Sequence, residues 1–233
     1  MCRHPGVDGD AAGGREAPTV TAFVLASASP ARLAVLRSAG VEPIVRVSGV
    51  DEDALIAALG AEAPPEHVVT ELARAKAKDV LPGLTSEGLS DFVVVGCDSM
   101  LLLDGELQGK PGSVEVARSR WASMAGRSAT LLTGHSVLRV VNGSVIGDAY
   151  ESSATVVHFA SPEDSDLEAY LATGEPLQVA GAFTLDSLGG WFVERIDGDP
   201  SSVIGIGLPL VRTLLGQVGV GIAELWATSG RTA

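Results

Sequence analysis

Lysine is scarce in this chain: Lys76, Lys78 and Lys110 stand against thirteen arginines, so the two places that hold lysine draw notice. Cysteine is scarcer still. Cys2 and Cys97 make no disulfide framework and suit the reduced thiols of a cytoplasm. The four histidines, His4, His67, His135 and His158, are scattered without zinc-ligand spacing. Mean hydropathy is positive, yet no run of about 18 apolar residues occurs, so no membrane span is expected. There is no basic cluster, and the net charge is −13, which argues against a nucleic-acid polymer as partner. Neither GxxxxGK[ST] nor GxGxxG is present, which argues against P-loop and dinucleotide-fold chemistry. Residues 1–18 are rich in Gly, Asp and Arg, lack the apolar segment of a secretory signal, and are expected as a flexible tail.

What is present is a globular composition, 46% hydrophobic and 19% charged over 233 residues, enough for one domain over 19–233 with a sizeable core. The apolar run 21–26 reads as a buried strand and 30–37 as a helix, with Ser29 as N-cap and Pro30 as first helical residue. A second strand is expected over 43–50, a short helix over 54–59, a longer helix over 66–80 and a polar loop over 82–91. Residues 92–97 read as a strand ending at Asp98-Ser99, followed by a hairpin about Asp104-Gly105. Ser113 caps a helix reaching 124. Residues 129–141 and 144–159 form a hairpin about Asn142-Gly143. A helix from 161 to 171, a long loop over 173–186, a strand over 191–196 and a last helix over 208–215 complete the chain. Hairpins mixed with crossovers predict an α/β fold with a mixed β-sheet flanked by helices.

Several residues could carry chemistry. The loop of Ser27 and Ser29 before a helix N-terminus is a natural anion pocket, with free N–H groups, the helix dipole and the fork-shaped cation of Arg32. The same segment also reads simply as a well-capped helix. Asp98 could hold a metal or act as a base, or be an Asx turn between two strands. Lys110, one hairpin later, could return beside Asp98 as a point charge for phosphate, or be a solvated loop residue. Lys76 shares its helix with Arg74 and Lys78, which at that spacing do not all face one way. Glu52 reads either as a metal-side carboxylate or as a surface turn. In the 173–186 loop Asp186 could accept hydrogen bonds from a ligand. A polyanionic substrate on so acidic a chain requires local cations and a divalent metal.

These residues stand in a telling order. Leu25-Ala26-Ser27-Ala28-Ser29-Pro30-Ala31-Arg32 resembles the LASxSPRR opening of the Maf family of nucleotide pyrophosphatases. Val50-Asp51-Glu52, Leu72 through Ala77, Gly96-Cys97-Asp98-Ser99 and Gly109-Lys110-Pro111 follow in family order. So do Thr133-Gly134, Gly174-Glu175-Pro176, Ala180 through Phe183, Gly198-Asp199 and Gly207-Leu208-Pro209. The resemblance spans about Val20 to Leu215. It implies a two-lobed architecture with a central cleft, and a cytoplasmic hydrolase splitting nucleoside triphosphates into monophosphate and pyrophosphate with Mg²⁺ or Mn²⁺. Family members are often homodimers. They are thought to clear non-standard or modified nucleotides and are linked to septum formation.

Carried over by position, the resemblance makes Asp98 the catalytic acid and a metal ligand, with Glu52 on the metal side. Ser27, Ser29, Arg32, Lys76 and Lys110 become phosphate contacts, and Asp186 a base contact. Three positions depart from the pattern. Ala31 replaces the first Arg of SPRR, and Gln178-Val179 replaces an Asp-Lys pair. Asp186 stands where the pyrimidine-preferring branch has Gln. An acidic Asp186 suits a base that presents N–H donors, such as guanine or cytosine. Two rivals remain: a non-catalytic nucleotide-binding regulator of cell division, which would not need Asp98, and a phospho- or nucleotidyltransferase.

Overall fold

A computed structural model describes residues 21–228; the tail expected over 1–18 lies outside them. In chain order the elements are β1 (Ala22–Leu25), α1 (Pro30–Ser38), β2 (Ile44–Val45), α2 (Glu52–Leu59), α3 (Pro65–Asp79), α4 (Leu81–Ser86), β3 (Asp91–Leu103), β4 (Glu106–Gln108), α5 (Val114–Met124), β5 (Ser128–Val141), β6 (Ser144–Phe159), α6 (Asp164–Ala172), β7 (Val193–Asp197), α7 (Pro200–Ile204), α8 (Leu208–Gln217) and α9 (Ile222–Thr228). One sheet runs β2-β1-β3-β5-β6-β7, with β4 added to β3. The β1 pairings with β2 and β3 are parallel and the rest antiparallel. The mixed sheet with flanking helices expected from the sequence is therefore observed.

Several boundaries differ from expectation. Residues 91–103 form one strand, so Asp98 lies inside β3 rather than at its end. The Asp-Ser pair does not break the strand because β5 pairs with it continuously from Asp91↔Val141 to Leu102↔Thr130. The segment expected as a loop over 82–91 begins as α4, where Pro82 sits in the first turn and costs no hydrogen bond. The second strand shrinks to two residues. Glu52 opens a helix, because the Asp51 carboxylate accepts from Ala54 N at 2.9 Å and acts as N-cap. The short helices α7 and α9 lie outside the expected pattern, and α9 rather than α8 is the last.

Alternation along the three long strands explains the two lobes. On one face, Val93, Val95, Cys97 and Val137 pack with Leu36, Val211 and Leu214. Further along the same face, Leu101, Leu103, Leu131 and Phe159 pack around Trp121, Tyr170 and Phe183. Between these two cores lies a polar rung, Ser99↔Thr133↔Ser153. The opposite face packs Val24, Phe92, Val94 and Leu138 against Ala77 and Leu84.

The edge of β3 that faces β1 is interrupted. β1 pairs as far as Leu25↔Val95, and β4 begins at Leu101↔Gln108. Residues 96–100 thus have β5 on one side and a break on the other.

Helix α3 sits unusually close to the sheet. A Cβ on Gly96 would lie 2.2 Å from Ala73 O, and one on Gly134 would lie 2.1 Å from Val69 O. Neither neighbour is a side chain that can swing away. Gly134→Ala is therefore expected to lower stability by at least about 1–3 kcal/mol in urea unfolding, because the helix must shift. Gly83→Ala, in α4 with open space around the new methyl, is expected to be neutral or to stabilise by up to about 1 kcal/mol. Equal behaviour of the two variants would contradict the close seating of α3.

Candidate functional site

Six of the sequence-predicted residues, Ser27, Ser29, Arg32, Glu52, Lys76 and Asp98, gather at the break in the β3 edge; Lys110 and Asp186 lie on other loops. On the α3 face, Asp98 points at Lys76, whose Nζ lies 2.5 Å from Asp98 Oδ1 and 2.7 Å from Glu52 Oε1. Lys76 is 8% exposed and Asp98 6%. Burial pushes the Asp98 carboxyl above its ordinary pKa, against the opposing pull of the Lys76 and Arg32 charges. The ammonium joins a carboxylate from β3 to one from the first turn of α2. Two hard oxygen donors thus converge on one cation position, a donor set that fits Mg²⁺ or Mn²⁺ with the other ligands left to water and phosphate. No group of three or more His, Cys, Asp or Glu that could hold a metal occurs among the described residues.

On the other face of β3 lies the phosphate-loop candidate. Ser29 caps α1, its hydroxyl accepting from Arg32 N at 3.3 Å. Ser27 Oγ accepts from Ser29 N at 3.2 Å and from Arg32 Nη1 at 3.0 Å, which leaves its own proton to donate. Arg32 is more committed than its sequence position implies. Nε donates to Gly205 O at 2.8 Å, Nη1 to Cys97 O at 2.8 Å and Nη2 to Ser99 Oγ at 3.4 Å. Of its five N–H groups one remains for a ligand.

The Arg32 guanidinium stands in for a missing strand, satisfying the Cys97 carbonyl at the break. A directed chain backs it. Thr133 Oγ1 donates to Ser202 O at 3.1 Å, so it accepts from Ser99 Oγ at 3.0 Å, which in turn accepts from Arg32. Thr133 and Ser99 were not singled out by the sequence reading for this role. Their shared rung becomes visible only once β3 and β5 are in register.

Lys110 is exposed. The β3–β4 pairing ends at Leu101↔Gln108, so Lys110 follows it by two residues on the side of the break. Its loop is pinned: Arg120 Nη1 donates to Gly109 O at 2.5 Å, Gly181 N to Gly109 O at 3.2 Å and Gly112 N to Leu177 O at 3.1 Å. The 173–186 segment is therefore tied to the Lys110 loop. It is not shapeless, but holds short 3-10 turns at Glu175–Gln178 and Ala180–Ala182.

Asp186 is exposed and makes no contact with Asp98, Lys76 or Arg32. Its loop is organised by Glu175, another residue the sequence reading left without a role. The Glu175 carboxylate accepts from Thr184 Oγ1 at 2.5 Å, Ser187 Oγ at 2.7 Å, Gly189 N at 3.1 Å and Leu188 N at 3.3 Å. Burial pushes its pKa up, but these four donors together hold it below the ordinary value.

A separate groove of about 410 Å³ lies between α3 and β6, beside Arg74 and Tyr150. Glu66, Glu71 and Glu151 line it, the wrong sign for a triphosphate.

With this geometry in place, comparison with known proteins is decisive for kinship. The Maf-like protein family profile matches residues 22–218. The chain belongs to the Maf family. It is 84% identical over 212 residues to the nucleoside triphosphate pyrophosphatase of Rhodococcus opacus (strain B4), covering 91% of this chain and 99% of that protein. It is 83% identical over 212 residues, with the same coverage, to the protein of that name in Rhodococcus jostii (strain RHA1). It is 57% identical over 213 residues to the one in Mycobacterium marinum (strain ATCC BAA-535 / M), covering 90% and 99%.

The Maf site is backed by one more buried group. His135 lies opposite Cys97 on β5, and its Nε2 accepts from Gly207 N at 2.8 Å. Burial, and then the Arg32 charge, push its pKa down from 6.5 to about 4. The fold holds the neutral ring, whereas the unfolded chain takes a proton near the ordinary value. Stability present above pH 6.5 should therefore fall as pH drops toward 4, by roughly 3 kcal/mol in all. His135→Gln, which keeps an acceptor for Gly207, should flatten that part of the urea-midpoint profile. A slope unchanged by the substitution would remove His135 from the account.

Proposed function

We propose that this chain hydrolyses nucleoside triphosphates between the α and β phosphates, releasing a nucleoside monophosphate and pyrophosphate. The observation that carries this reading is Asp98, buried against Lys76 beside the break in the β3 edge. The family membership and the printed names of the close relatives support it. The break gives an extended polyanion one place from which to meet Lys76, the Ser27–Ser29 loop, one Arg32 N–H and Lys110. Residues 19–233 act as the single catalytic unit. No helix among the described residues is long and apolar enough to cross a membrane. Kinship with the Maf family is what supports a cytoplasmic homodimer acting on free nucleotides. Non-standard or modified nucleotides are the proposed substrates.

In the reaction, water attacks the α-phosphorus. A bond forms from the water oxygen to that phosphorus, and the bond from it to the bridging oxygen breaks. Pyrophosphate leaves with the bridging electrons. Asp98 orients the water and takes its proton. Oδ1 is the oxygen that faces the ion cluster, which leaves Oδ2 for that work. The elevated pKa of Asp98 suits an oxygen that must pick up a proton in the transition state. Ser27, Lys110 and the free N–H of Arg32 hold the phosphates in line, and their charge favours departure of pyrophosphate. Asp98 and Glu52 would hold Mg²⁺ or Mn²⁺, which supplies further neutralisation of the triphosphate when bound.

Asp98→Asn is expected to cut kcat for pyrophosphate release by about 10²–10⁴-fold while the protein still melts cooperatively, at a lower midpoint because Lys76 keeps only Glu52 as its carboxylate partner. Near-normal turnover would sink the assignment of Asp98, whereas no pyrophosphate release by the unaltered protein with Mg²⁺ or Mn²⁺ present would favour a binding regulator. Release of monophosphate without any acceptor present counts against a transferase.

The base is read by the loop that Glu175 holds. Asp186 in that loop favours bases with N–H donors, such as guanine and cytosine. A panel of canonical and modified triphosphates should rank these above dTTP and UTP, and Asp186→Gln should narrow the preference. If dTTP or UTP leads and Asp186→Gln changes nothing, the base assignment is wrong.

A further inference from the structure

We propose that Lys76 is a resident counter-cation that keeps the metal subsite of the free enzyme closed, so that the divalent ion binds only together with the triphosphate. This rests on the reading of Asp98 and Glu52 as the metal-side carboxylates.

Three observations carry it. First, the Lys76 ammonium occupies the point where the two carboxylates converge, 2.5 Å from one and 2.7 Å from the other. It is therefore at the position a cation bridging those oxygens would take. Second, the helix that carries Lys76 cannot retreat as a body toward or away from the sheet without changing the contacts at Gly96 and Gly134. What can move is the flexible four-carbon stem. Third, the charges fit one cation at a time. Two carboxylates with one ammonium leave one net negative charge, whereas a divalent ion added beside the ammonium leaves one net positive charge at a point buried on the Lys76 and Asp98 side and half-open at Glu52. Two cations facing each other there repel strongly.

A triphosphate changes the balance. Its phosphate oxygens give the ammonium a second partner, and they complete the coordination of a metal that has only two protein carboxylates. Nζ then swings from the carboxylates to the phosphates, and the ion takes its place. Metal and nucleotide each raise the affinity of the other by the same factor, as linkage requires.

The test is Mn²⁺ binding by the full-length protein, read from the EPR signal of the free ion. It is run with and without a triphosphate analogue whose α–β bridge is a methylene, and the Mn²⁺ held by the analogue alone is subtracted from a protein-free titration. Wild-type protein should bind Mn²⁺ at least about tenfold more tightly with the analogue than without it. Lys76→Gln should bind Mn²⁺ alone about tenfold more tightly than wild type does. Lys76→Arg, which keeps the cation, should stay at the wild-type value.

Should Lys76→Gln fail to melt cooperatively, the wild-type comparison and Lys76→Arg still decide. Wild type binding Mn²⁺ equally with and without analogue, Lys76→Gln no tighter than wild type, or Lys76→Arg as tight as a folded Lys76→Gln, would each overturn the proposal. Pyrophosphate release by wild type is followed on the same preparation. Release with Mn²⁺ binding indifferent to the analogue and to Lys76 defeats the closed subsite and leaves the activity standing. No release and no Mn²⁺ binding in any state defeats both.

Discussion

The backbone of α3 rests on the strand backbones at Gly96 and Gly134, where no side chain intervenes. That contact sets the depth at which Lys76 enters the molecule, and with it the pairing of Lys76 with Asp98. A lysine ammonium and an aspartate so far from solvent are each costly to bury alone, and each is tolerable because the other is there. Glu52 joins from the first turn of α2, so one ion cluster draws together α2, α3 and β3. If α3 sat a methyl group higher, the cluster would open, Asp98 would lose its fixed oxygen, and the carboxylates would no longer converge.

The second organising feature is the polar rung at Ser99, Thr133 and Ser153. It divides one face of a continuous sheet into two apolar cores, which is how a single sheet carries two lobes. The break in the β3 edge falls at the same level. Main-chain groups at a sheet edge need partners, and at this break Arg32 satisfies the Cys97 carbonyl with a side chain. The cleft is thus a gap in strand pairing rather than a hollow between separate domains. A ligand entering it reaches the Asp98 face and the Arg32 face together. Arg32 chiefly holds the wall, with four of its five N–H groups committed to protein acceptors, while Lys110 is exposed and Lys76 is held by two carboxylates. The absence of a second arginine at Ala31 makes that distinction matter more in this chain.

Much of this was legible in the sequence because it depends on local signals. Ser29-Pro30, Ser113 and Asn142-Gly143 mark their caps and turn through nearest-neighbour chemistry, and the structure has them where the sequence places them. The order of short blocks from Leu25 to Pro209 was enough to mark the family. What was not legible depends on partners distant in the chain. Asp98 looked like a strand end because polarity changes there, yet β5 carries the strand through. Arg32 looked like a free phosphate fork because its acceptors, Cys97 and Gly205, lie 65 and 173 residues away. Glu175 stood in a family block without a role because the hydroxyls and amides it gathers lie 9 to 14 residues on. Asp51-Glu52 is the exception: an N-cap followed by an acidic first turn was readable, and was masked by the strand expected before it.

In the proposed reaction, water reaches the α-phosphorus in the break beside Asp98. The fate of the oxygen tests this most directly. Turnover in oxygen-18 water, with both products analysed by mass spectrometry, should place the label in the nucleoside monophosphate and leave the pyrophosphate unlabelled. Label in the pyrophosphate would mean attack on the β-phosphorus and would contradict the arrangement of Asp98, Lys76 and the phosphate loop described above.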